Sequence, residues 1–86
     1  MLVAVAQMTS GGVIRENLAI AQQLVRRAAM AGAKAVFLPE AADFIAPPAS
    51  VPTLTRSRDN GAFVSGLCDS ARDLGVWISV GVHEPP

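Results

Sequence analysis

The sequence predicts an α/β fold, a parallel sheet of three strands joined by two helices. Three observations predict it. Residues 2–8, 33–38 and 76–82 are short apolar runs with little polar alternation, the pattern of strands covered on both faces. Two stretches between them carry an apolar stripe at helical period. The resulting order, strand, helix, strand, helix, strand, is that of parallel sheets with right-handed crossovers.

The first strand is Leu2 to Met8, rich in Leu, Val and Ala. Thr9-Ser10-Gly11-Gly12 is the turn after it. A helix is expected over residues 13–31. Its stripe is Ile14, Leu18, Ala21, Val25 and Ala28, with Arg15, Asn17, Gln22, Gln23, Arg26 and Arg27 mostly off it. Glu16 near its start and the two arginines near its end suit the helix dipole. Gly32 is a left-handed terminator. The second strand holds Val36, Phe37 and Leu38 and stops at Pro39, which has no N–H for a ladder.

Residues 41–58 are irregular, because Pro47, Pro48 and Pro52 exclude a long helix. Within them Phe44 and Ile45 are pocket-wall residues or pack on the adjoining helix, the second reading being favoured for Ile45. Asp59-Asn60 is expected to cap a second helix over residues 61–74, with the stripe Phe63, Leu67, Ala71 and Leu74 and with Gly75 as terminator. Gly66 inside it costs about 1 kcal/mol against alanine, which implies a close backbone contact. The third strand is residues 76–82.

Composition narrows the function. The chain has 86 residues, room for one small domain at most. A domain of this size buries only about 60% of its unfolded surface. Yet 51% of the residues are hydrophobic and the mean hydropathy is +0.39. That is much apolar side chain for a small interior, so the chain is expected to be part of something larger. Seven basic and seven acidic residues cancel. No basic patch marks a nucleic-acid or anionic-membrane partner. The start lacks the basic residues of a signal peptide, and its apolar run is far below the ~20 residues of a membrane helix. One cysteine excludes an internal disulfide and points to a reducing, cytoplasmic setting.

Chemistry-bearing residues collect at strand ends. Glu40 follows the second strand directly. The carboxyl ends of parallel strands are where such folds place ligands and catalysts. Glu40 is therefore a candidate acid or base, against the plainer reading of a polar residue that marks the loop. His83 and Glu84 follow the third strand and fall on the same rim. With Glu40 they are too thin a set for a metal, which needs three or four ligands; the favoured reading is ordinary rim residues, or a His83 that hydrogen-bonds a loop. Cys68 is favoured as a buried small hydrophobe rather than a nucleophile. Gly11-Gly12 matches neither nucleotide-loop pattern. A binding module of flavodoxin-like topology stands as the alternative.

Several stretches together resemble the start of the nitrilase (carbon–nitrogen hydrolase) superfamily: Val3-Ala4-Val5-Ala6-Gln7-Met8, Asn17, residues 29–40 reading AMAGAKAVFLPE, and residues 74–84 reading LGVWISVGVHE. The LPEAADFIA and SVGVHE stretches are most similar to the Nit branch of amidases. The resemblance implies a nitrilase-type αββα four-layer sandwich, of which residues 1–86 form the N-terminal part of a single domain. It implies a Glu-Lys-Cys triad in which only the glutamate has a counterpart here, Glu40. The lysine and cysteine lie further along in the family. Neither Lys34 nor Cys68 occupies a matching position.

The expected function is then hydrolysis of a small-molecule amide, of omega-amide or deaminated-glutathione type. It proceeds through a cysteine thioester, with Glu40 as the general base and the segment alone inactive. Phe44, His83 and Glu84 are assigned to the substrate pocket. No cofactor and no metal are expected. The partners expected are the amide substrate and further copies of the parent chain, with no nucleic acid and no membrane. The alternative is a non-catalytic α/β module that binds a partner or small ligand.

Overall fold

A computed structural model describes residues 1–40 and 42–83. Three strands, β1 (Val3–Val5), β2 (Ala35–Phe37) and β3 (Trp77–Ser79), form one sheet in the order β1-β2-β3. Both pairings are parallel, with Val3 beside Ala35 beside Trp77 and Val5 beside Phe37 beside Ser79. The regular strands are shorter than the apolar runs, but their bonding continues past them. Lys34 N–H donates to Leu2 O at 2.8 Å, Ala6 N–H to Phe37 O at 2.9 Å and Leu38 N–H to Ser79 O at 2.8 Å.

Helix α1 (Ile14–Met30) and helix α3 (Arg58–Leu74) connect the strands. Helix α3 begins earlier than expected, because Ser57 and not Asp59-Asn60 caps it: Ser57 Oγ accepts from Asn60 N–H at 3.2 Å. Gly75 ends it in the left-handed conformation, φ 66°. Between β2 and α3 the chain makes a 3-10 turn at Pro48–Ser50 and a short helix α2 (Val51–Thr55). Pro52 fits there because the first turn of a helix has no use for its missing N–H.

The two long helices lie against each other and over one face of the sheet. Gly66 is a point of close approach between them. A β-carbon there would stand 3.0 Å from both Leu18 methyls, and Gln22 Nε2 donates to Gly66 O at 3.2 Å. The core joins Ile14, Ala21 and Val25 of α1, Phe63 and Leu67 of α3, Val36 of β2 and, beyond its end, Leu38, Ala42 and Phe44. Each large side chain so buried contributes about 1.5–3 kcal/mol.

The expectation of strands covered on both faces is corrected here. The helices cover only the face carrying Ala4, Val36 and Ile78. The opposite face presents Val3, Val5, Phe37 and Trp77; Val5 is 78% and Trp77 80% exposed. The uniform apolarity of the strands was read correctly, but the two helices in these residues suffice for one side. Among the described residues both edge strands also stand open. Exposed apolar faces and unpaired edges drive association. The purified 86-residue chain is therefore expected to sediment as a distribution of oligomers and to melt without a sharp transition. A monodisperse monomer with cooperative unfolding would contradict this.

Candidate functional site

The parallel arrangement sends all three strands toward one rim. Glu40 stands there three residues beyond β2, with its side chain exposed. Its backbone is held from both sides. Leu38 N–H bonds Ser79 O, and Ala42 N–H bonds Gly81 O at 3.1 Å. Between these two bonds Glu40 backs onto Gly81. A β-carbon on Gly81 would fall 2.9 Å from Glu40 Cα and 3.3 Å from its Cβ and Cγ. Only a residue without a side chain leaves this space. Glu40, Gly81, Val82 and His83 line one cleft.

His83 is fastened from below. Its backbone N–H donates to Asp43 Oδ2 at 2.9 Å, and its Nδ1 lies 2.9 Å from Asp43 Oδ1. Oδ1 also accepts from Phe44 N–H at 3.0 Å. The His83 carbonyl accepts from Asn60 Nδ2 at 3.2 Å. The imidazole stacks on Phe44, with ring centroids 4.1 Å apart and planes 16° from parallel.

The residues assigned from sequence are thus distributed as follows. Glu40 and His83 share the cleft. Phe44 lies beneath it, fully buried, with its ring against the imidazole. Glu84 lies outside the described residues. Ile45, expected to pack on a helix, instead points to solvent, while its neighbour Phe44 fills the interior.

Cys68 is a second correction. It was expected to be buried, and it is exposed, on an open groove beside Val64, Ala71 and Trp77. The inward line of α3 runs through Asn60, Phe63 and Leu67, so the residue after Leu67 is turned about 100° away. Cys68→Ala is expected to change stability by less than about 0.5 kcal/mol and to leave the activity of the full-length protein unchanged. Loss of activity in that variant would make Cys68 a participant.

Two polar residues of the site had no role in the sequence reading. Asp43 has no exposed surface. Asn17 is buried although it was placed off the helix stripe. Its side chain accepts from Gly11 N–H at 3.0 Å and donates to Gly11 O at 2.9 Å and Asp43 O at 2.8 Å. It thereby joins the turn after β1 to the loop after Glu40. Its spacing from Ile14 and Ala21, three and four residues, was the available signal. Among the described residues, no helix is long and apolar enough to cross a membrane, and no three His, Cys, Asp or Glu side chains gather as metal ligands.

With this geometry in view, the likeness to known proteins is informative. The carbon-nitrogen hydrolase family profile matches residues 2–85. A Schizosaccharomyces pombe protein described as probable hydrolase nit2 is 42% identical over 85 residues, 98% of this chain and 31% of its own length. The deaminated glutathione amidase of Mus musculus is 42% identical over 84 residues, 96% of this chain and 26% of its own. The crystal structure of the C. elegans NitFhit protein superposes with a TM-score of 0.83 at 30% identity, covering 91% of this chain and 19% of that one. The chain therefore spans between a quarter and a third of the length of these two curated relatives. Matched along nearly all of its residues in sequence and along most of them in fold, it belongs to the carbon-nitrogen hydrolase family, on its Nit-like branch.

Proposed function

We propose that the full-length protein carrying this segment hydrolyses a small-molecule amide through a cysteine thioester, with Glu40 as general base. The observation that carries the proposal is the seat of Glu40 at the carboxyl end of β2, where Gly81 and two flanking backbone bonds fix its main chain beside an open cleft. A base must be held where the proton is to be taken. The names of the relatives, a hydrolase and a deaminated glutathione amidase, support a substrate of omega-amide or deaminated-glutathione type.

The steps are those that the family resemblance implies for a glutamate so placed. The Glu40 carboxylate takes the Sγ proton of the family's cysteine. The thiolate attacks the amide carbonyl, forming a C–S bond. The family's lysine stabilises the oxyanion. The C–N bond then breaks, and the proton held by Glu40 passes to the leaving nitrogen. Water, deprotonated by the same carboxylate, cleaves the thioester and releases the acid. His83 lines the cleft in which the amide would sit.

The test is intact-mass spectrometry of the full-length protein mixed with a dicarboxylic monoamide. An acyl adduct that hydroxylamine removes is expected, together with release of ammonia. Ammonia release with no trappable adduct would exclude the thioester, and absence of both would exclude the amidase reading. The 86-residue chain by itself is expected to release none, because a base without its nucleophile forms no acyl-enzyme.

A further inference from the structure

Asp43 is the one acidic side chain buried among the described residues, and the proposed reaction does not use it. Both of its oxygens are engaged, and what they hold is His83. A carboxylate has only acceptors to offer, so the imidazole proton belongs on Nδ1, facing Oδ1. The other ring nitrogen of a neutral imidazole is then a bare acceptor. One face of the ring lies on Phe44, and its Nδ1 edge is turned to the buried carboxylate. The side chain still keeps 29% of its surface and lines the cleft with Glu40. Nε2 is the ring nitrogen left without a hydrogen bond among the described residues.

We infer that the Asp43–His83 pair gives this cleft its second working group, an imidazole held with Nε2 as an acceptor, which recognises the N–H of a carboxamide placed against Glu40. The inference rests on the amidase reading above and names what selects an amide. Asp43 acts through His83 as a positioning residue: it sets the tautomer and, with Phe44, the plane of the ring. An ester of the same acid has no N–H to give. A site built around such a hydrogen bond discriminates against the analogue that lacks it.

The test uses the full-length protein, with succinamate and monomethyl succinate as paired probes. His83→Asn retains a donor near the Nδ1 position for Asp43 and has nothing where Nε2 stood. Its kcat/KM for the amide is expected to fall about ten- to hundredfold, with the ester within about twofold and the melting temperature little changed. Asp43→Asn sets an amide NH2 against N–H donors, frees the ring, and is expected to lower the amide-to-ester ratio in the same direction. Equal losses on the two probes in His83→Asn would reduce the pair to a tie between loop and strand and overturn the inference. If that variant does not fold, the imidazole ¹⁵N resonances of the unaltered protein decide. A protonated Nδ1 with a bare Nε2 supports the inference, and a protonated Nε2 overturns it. Glu40→Gln separates the two readings. If that variant still hydrolyses both probes, the general-base assignment falls. If it is inactive on both while His83→Asn treats them alike, only the present inference falls.

Discussion

In the full-length protein, Glu40→Gln is expected to lower kcat by about 10²–10⁴-fold, the usual worth of general-base assistance, while leaving the fold in place. Glutamine keeps the length of the side chain and one acceptor oxygen but cannot take a proton as a carboxylate does. The structure makes the variant a clean one. The Glu40 side chain is exposed, and among the described residues it takes part in no hydrogen bond or ion pair. Its removal should therefore cost less than about 0.5 kcal/mol of stability. Thermal melting and steady-state kinetics on one preparation check both halves. A loop-marking glutamate would give the opposite pattern, with stability changed and kcat near normal. That result would remove Glu40 from the chemistry.

Gly81→Ala should produce a comparable defect without touching any polar group. The added methyl would lie 2.9 Å from Glu40 Cα, closer than carbon atoms pack, and 3.3 Å from Cβ and Cγ. The nearest of these atoms is main chain, so relief requires the Glu40 backbone to move rather than a side-chain end to rotate. Misplacing a reacting group by about 1 Å costs on the order of 10²-fold in rate. The overpacking itself costs about 1–3 kcal/mol. Gly61→Ala is the matching control. It sits in α3 with nothing within 4 Å of the added carbon, and it should gain up to about 1 kcal/mol from helix propensity with kcat unchanged. If Gly81→Ala turns over as fast as Gly61→Ala, the close approach does not position Glu40.

The residues that line the cleft were unevenly legible in the sequence. Glu40 stood out as a candidate because its signal is local: an apolar strand, a proline, then a carboxylate. His83 was visible for the same reason at the end of β3, and a parallel sheet brings both ends to one rim. Gly81 gave no such signal. Within its strand it was one more small residue, and its role appears only when the neighbouring strand is set beside it.

The sequence by itself determined the order of the three strands and two long helices, the parallel topology, both helix terminators and the family, since each depends on short-range pattern or on the order of short motifs; the 3-10 turn and α2 within residues 48–55 were read only as irregular chain. Helical period and strand length are set by backbone geometry within a few residues. What lies inward at an irregular position depends on contacts made far along the chain. Asp43 meets His83 across 40 residues, Asn17 meets Asp43 across 26, and Asn60 meets His83 across 23. Only tertiary structure could decide that Phe44 turns in and Ile45 out, that Cys68 faces solvent, and that the sheet keeps one bare face. A polar side chain is buried where its partners wait, because an unpaired one would lose its hydration without replacement. For Asp43 those partners are the N–H groups of Phe44 and His83 and one edge of an imidazole.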